Sequence, residues 1–105
     1  MRSSELYSEI YKLVQQIPRG KVSSYGAVAK CIGINPRVVG YALHQNPSAL
    51  ITPCHRVVFK DGSLASGYVF GGEGAQFEML KSEGVKFTSE GKVARSSFLN
   101  KTLVF

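Results

Sequence analysis

The tetrapeptide Gly33-Ile34-Asn35-Pro36 does most to limit what this chain can fold into. Glycine accepts the left-handed backbone that ends a helix. Asparagine caps the first turn of the next helix, and proline is favoured at its first position, where no amide hydrogen is needed. Ser24 is a second capping residue, so Tyr25 to Ile32 reads as one helix and Pro36 to about Gln45 as the next. Two short helices joined by a brief glycine-containing turn form a helix-turn-helix unit. The second helix is then the recognition helix. It carries Arg37 near its N-terminus, and Gly40 lets it approach a neighbour closely.

Before this unit, Leu6, Ile10, Leu13, Val14 and Ile17 recur at helical spacing. Ser4 is the expected cap of that first helix, Glu5 suits its dipole, Pro18 ends it, and Arg19-Gly20 makes a turn. After the unit, Asn46-Pro47-Ser48 reads as a loop. Leu50 to Pro53 leads into Cys54-His55-Arg56 and the strand-like Val57-Val58-Phe59. Asp61-Gly62 is a turn signal, so Ser63-Leu64-Ala65 is expected to return as the second strand of a hairpin. Residues 67–74 are glycine-rich and read as an irregular wall. Gln76 to Glu83 reads as a short helix stopped by Gly84, and the tail after Val85 is weakly patterned. The expected fold is mainly α with a small β-hairpin, a winged-helix-like helix-turn-helix domain occupying residues 1–105 as one unit with no N-terminal domain.

The formal net charge of +6 favours a polyanionic partner, because neutralising phosphates releases their counterions. No apolar run is long enough to span a bilayer, and the N-terminus lacks the pattern of a secretory signal. An intracellular setting is expected, cytoplasmic at the nucleoid or nuclear. The two cysteines, Cys31 and Cys54, are then expected as free thiols. Zinc is not suggested: Cys54 and His55 are adjacent and would struggle to share one tetrahedral ion, and no ligand pair has finger spacing.

Cys54 is the residue that most needs explaining. An ordinary thiol is only a few per cent ionised at neutral pH, and a neighbouring base raises that fraction. His55 is placed to take the thiol proton, directly or through a water, and Glu83 is the candidate acid on the other side of the imidazole. Residue types alone leave a second reading open, in which Cys54 is a small buried hydrophobe and His55 a satisfied polar group. Cys31, among apolar neighbours in a helix, reads as core.

The ordered segments Val22-Ser23-Ser24-Tyr25-Gly26-Ala27-Val28-Ala29, Arg37-Val38-Val39-Gly40, Asn46-Pro47, Pro53-Cys54-His55-Arg56-Val57-Val58 and Ser82-Glu83-Gly84-Val85 closely resemble the C-terminal domain of the O6-alkylguanine-DNA alkyltransferases. The likeness spans about Tyr7 to Val85. It implies binding of double-stranded DNA containing O6-alkylguanine through the minor groove, by a monomer. Arg37 is then the finger that enters the stack where guanine leaves, and Ser24 and Tyr25 lie at the flipped nucleotide. Backbone groups of Cys54 and Val57 read the guanine edge. Asn46, Pro53 and Arg56 support the loop that carries Cys54. His55 and Glu83 form a water-linked relay that generates the thiolate, and Cys54 keeps the alkyl group, so no metal or organic cofactor is required.

The short form also resembles the alkyltransferase-like proteins. These bind O6-alkylguanine without an acceptor cysteine and flag it for nucleotide excision repair, whereas this chain keeps Cys54. The family's Asn-Tyr-x-Gly-Gly segment is replaced here by Ser66-Gly67-Tyr68-Val69-Phe70-Gly71-Gly72, with one extra residue between the tyrosine and the glycine pair. Tyr68, Val69, Phe70 and Gly71 are the candidate lesion-contacting wall.

Overall fold

The computed structural model describes residues 3–65, 68–101 and 103, apart from the side chain of Glu73. Helix α1 runs over Ser3–Val14 and buries Ile10, Leu13 and Val14, with Ile17 following them into the core. Ser4 therefore lies inside the first turn and is not the cap. The helix unwinds before Pro18: Gln16 and Ile17 make tight bonds to Leu13 O and Val14 O, as expected where a following proline disfavours helical backbone at Ile17.

The helix-turn-helix is formed as the caps dictate. Ser24 Oγ accepts from the Ala27 amide at 3.0 Å and opens α2, Tyr25–Ile32. Gly33 ends it in the left-handed region, at φ 83°. Asn35 Oδ1 accepts from the Arg37 amide at 2.9 Å, and Pro36 starts α3, Pro36–His44. The inner faces of α1, α2 and α3 share one core with Val28, Ala29, Val39, Ala42 and Leu43.

Ser23–Ser24 forms β1 and pairs in parallel with β2, Val57–Val58, in the register Ser23 to Val57 and Ser24 to Val58. This corrects the expected hairpin. The Asp61-Gly62 turn is present, with the Phe59 amide bonded to Ser63 O at 3.0 Å, but residues 63–65 do not continue as a strand. The Ala65 amide goes instead to the side chain of Gln76, and Gly62 O is taken by the Val93 amide.

Helix α4 covers Gly72–Ser82, starting four residues before the expected Gln76. Gly71 precedes it at φ 120°, and a Cβ there would stand 2.8 Å from Ala75 Cβ, so this junction requires glycine. The tail is more ordered than its pattern suggests. Val85 and Val93 join Val22, Val58, Leu64 and Leu80 in a second core, and residues 97–99 bond to both sides of Val22. Among the described residues no helix is long and apolar enough to cross a membrane.

Candidate active site

The turn that carries Cys54 is built by its neighbours. Pro53, at φ −77° and ψ 70°, is the centre of an inverse γ-turn closed by the Cys54 amide on Thr52 O at 2.8 Å. Proline presets that φ. Residues Cys54–Arg56 then form a single 3₁₀ turn that feeds β2. Asn46 is buried and donates from Nδ2 to the same Thr52 carbonyl at 2.9 Å, and Gln15 holds the Thr52 hydroxyl at 3.0 Å.

Cys54 is buried. Burial pushes its thiol up, against hydrogen bonds from the Asn46 side chain, the Tyr68 hydroxyl and the local backbone that favour the anion. Burial wins, so the resting group is a neutral thiol. The Tyr68 hydroxyl has one proton to give, and Met79 Sδ, at 3.1 Å, competes for it.

His55 is also buried, at 3% side-chain exposure, and Nε2 lies 3.0 Å from Glu83 Oε2. Burial lowers its pKa below the ordinary 6.5, against the opposing pull of Glu83. Burial also raises Glu83, but the hydrogen bonds of Arg56 and His55 outweigh it and hold the carboxyl below its ordinary range. An ionised carboxylate only accepts, so Nε2 carries the hydrogen and Nδ1 carries the lone pair. Nδ1 is buried with no hydrogen-bond partner among the described residues. Of the two expected proton routes, the direct bond from thiol to imidazole is therefore not formed.

Glu83 ends α4, where the helix dipole opposes a negative charge. Arg56 offsets this with a two-point contact, Nε to Oε1 at 3.0 Å and Nη2 to Oε2 at 2.8 Å, while its Nη1 holds Ile17 O at 2.8 Å. One guanidinium thus ties the end of the α1 segment, the cysteine turn and α4 together.

Sequence reasoning missed Gln76. It is fully buried, accepts from the Ala65 amide at 2.9 Å, and donates to His55 O and Val57 O, each at 3.1 Å. The only available signal was a neutral polar residue early in a helix, which reads as surface. Val57 is buried, its carbonyl taken by Gln76 and its amide by Cys54 O, so it braces the turn.

Tyr25, Gly40, Leu43, His44, Cys54, Ala65, Tyr68 and Val69 surround a pocket of about 50 Å³. That holds a few waters at roughly 10–15 Å³ each and is far below the roughly 300 Å³ of a small ligand pocket. A purine enters only if the wall moves. Gly67, expected in that wall, lies outside the described residues, while Val69 and Phe70 are exposed and Gly71 is set back at the start of α4. Tyr25 stacks on Phe59 at 5.2 Å, and burial pushes its hydroxyl up to about 12. Ser24 is committed to capping α2. Arg37 is exposed, and its side chain has no partner among the described residues.

Two basic groups are engaged internally: Arg19 bonds Ser82 O and Lys21 bonds Ser96 O. Cys31 is half-buried on the wall of a separate cavity, with Ala27 O 3.3 Å from its sulfur. Among the described residues no three His, Cys, Asp or Glu side chains are grouped to hold a metal ion.

The class is therefore a helix-turn-helix domain with a cysteine-centred site, its imidazole oriented by a carboxylate. The chain belongs to the family of DNA-repair alkyltransferases: the model of the 6-O-methylguanine DNA methyltransferase DNA-binding domain matches residues 5–85. A methylated-DNA–protein-cysteine methyltransferase of Saccharolobus islandicus is 44% identical over 77 residues, 73% of this chain and 49% of that protein. A DNA base-flipping protein of Thermus thermophilus is 41% identical over 75 residues, 71% of this chain and 50% of that one. The chain spans about half the length of these curated relatives. The structure of S. pombe Atl1 in complex with damaged DNA containing O6-carboxymethylguanine superposes with a TM-score of 0.82 at 33% identity, covering 96% of this chain and 100% of that one. The expected family and the helix-turn-helix class are both borne out.

Proposed function

We propose that this chain grips duplex DNA with α3, receives an O6-alkylguanine rotated out of the stack beside Cys54, and moves the alkyl group onto that sulfur. Extruding a base costs a few kcal/mol, and Arg37, exposed and without a side-chain partner among the described residues, is available to fill the gap. The net charge of +6 supplies phosphate attraction without sequence preference, which suits a damage scanner. Gly40 leaves the same face open: a Cβ there would meet nothing within 4 Å among the described residues, so a partner can approach the backbone of α3 closely.

The observation that carries the reading is the imidazole of His55, neutral, fixed through Nε2–H by Glu83, with the Nδ1 lone pair unused among the described residues. The thiol proton passes to Nδ1 through a bridging water, and Glu83 stabilises the imidazolium. The thiolate attacks the alkyl carbon and the carbon–O6 bond breaks. The bonding pair leaves with the guanine, which takes up a proton. The sulfur is left as a thioether, so each molecule acts once.

A second reading is favoured by the burial that keeps Cys54 neutral. In it the chain holds the lesion without transfer and presents it to nucleotide excision repair proteins. The fate of the lesion separates the two. With an O6-methylguanine duplex, the first reading expects loss of the modified base in a 1:1 ratio to protein added. Tight lesion binding with all of the modified base recovered supports the second and overturns the first.

A further inference from the structure

Of the five tyrosines, four are used internally: Tyr7 packs on Tyr11, Tyr25 on Phe59, and Tyr68 on Phe70. Tyr41 is the exception. It is 60% exposed in the middle of α3, and its side chain makes no hydrogen bond or ring contact among the described residues. An aromatic residue at an exposed helix position gains little from helix propensity. Its place is specific. It lies one turn beyond Arg37, so the two side chains share a ridge with their Cβ atoms about 5–6 Å apart. It also adjoins Gly40, Leu43 and His44, which line the Cys54 pocket. The small Gly40 surface beside it lets a neighbour come close to the ridge.

We infer that Tyr41 is a second wedge, stacking on the base step next to the one that Arg37 fills. This rests on the DNA-binding reading above. A separation of about 5–6 Å spans one to two base steps at about 3.4 Å each, so the pair fits one distorted stretch of duplex. Every base offers a face to an aromatic ring, so the contact adds grip without sequence preference. A ring inserted from the minor groove also unstacks a step and kinks the duplex, by roughly 20–90° for wedges of this kind. Tyr41 thus shares with Arg37 the work of opening the stack and makes no contact with the reacting atoms.

The test uses the full chain and a duplex with one O6-methylguanine and a fluorescent donor and acceptor at its ends. Affinity and end-to-end transfer are measured for the unsubstituted chain, Tyr41→Ala, Tyr41→Phe and Arg37→Ala. Tyr41→Ala should bind roughly tenfold more weakly, as loss of one stacked base predicts, and should bend the duplex less. Tyr41→Phe should match the unsubstituted chain in both. Circular dichroism checks that the variants are folded, which the exposure of Tyr41 favours. If Tyr41→Ala binds and bends like the unsubstituted chain while Arg37→Ala does not, the wedge is overturned and the DNA-binding reading survives. If Tyr41→Phe loses as much as Tyr41→Ala, the contact is through the hydroxyl and stacking is overturned. An unsubstituted chain that binds no DNA overturns both.

Discussion

Replacing Glu83 by Gln keeps the shape of the side chain and removes its charge. In the folded protein that carboxylate accepts from His55 Nε2 at 3.0 Å and from Arg56 at 3.0 and 2.8 Å, with 7% of the Glu83 side chain and 16% of the Arg56 side chain exposed. The amide retains one acceptor oxygen but presents an NH2 group to donors. Breaking a buried pair by removing one partner costs about 3–5 kcal/mol, and the residual oxygen and partial exposure of Arg56 place this case at the low end, about 3 kcal/mol. Unfolding entropy of about 2.1 cal/mol/K per residue over this length converts that to a Tm lower by roughly 14 °C. Thermal melts at pH 7.5, followed by circular dichroism, read it directly. The same substitution removes the charge that stabilises the imidazolium, so single-turnover demethylation should slow by roughly a hundredfold. A Tm change under about 4 °C, together with an unchanged transfer rate, would refute both the buried network and the relay.

Three further outcomes follow from the same geometry. Stability should pass through a maximum between about pH 6.5 and 9. His55 is held below its ordinary 6.5, so the unfolded chain takes up its proton first and stability falls as pH drops below that value; Glu83, also lowered, adds to the loss below about 4.5. Cys54 is held above its ordinary 9.0, so the unfolded chain ionises first and stability falls above that pH, and the raised Tyr11, Tyr25 and Tyr68 extend the fall above 10; urea midpoints should show Cys54→Ala flattening the curve between about pH 9 and 10 and leaving the acid side unchanged. Gln76→Leu leaves the Ala65 amide and the His55 and Val57 carbonyls without their partner, and should cost about 2–4 kcal/mol in urea unfolding; a cost under about 1 kcal/mol would deny Gln76 its bracing role. Arg37→Ala should slow lesion processing more than it weakens binding to undamaged duplex, and equal losses would show the finger to be misassigned.

What was legible in the sequence was local. Ser24, Gly33, Asn35 and Pro36 act on backbone within four residues of themselves, so α2 and α3 were readable to within a residue. Pairings across long stretches were not. Val57–Val58 had a nearby turn to suggest a hairpin, yet its partner is β1, more than thirty residues earlier, while Gln76 draws Ala65 away from the ladder. Gly72 and Gly74 look like helix breakers, but Leu80 and Gln76, both fully buried, hold α4 in place through its first turn. In the site, Cys54 and His55 stood out as chemistry. Glu83 was expected beside the imidazole, first as a candidate acid and then through the family likeness, and the fold adds the direct 3.0 Å bond between them. Arg56 was expected as support, but its two-point hold on Glu83 depends on a contact across 27 residues that no spacing rule anticipates.

The central claim is that Cys54 accepts the alkyl group, and one measurement addresses it without intermediaries. After incubation with an O6-methylguanine duplex, trypsin releases Cys54 in the peptide 38–56, bounded by Arg37 and Arg56, and Cys31 in a different peptide. Mass spectrometry should find one added methyl group on the Cys54 peptide and none on the other. An unmodified Cys54 peptide, recovered from protein that demonstrably bound the lesion, would contradict the account.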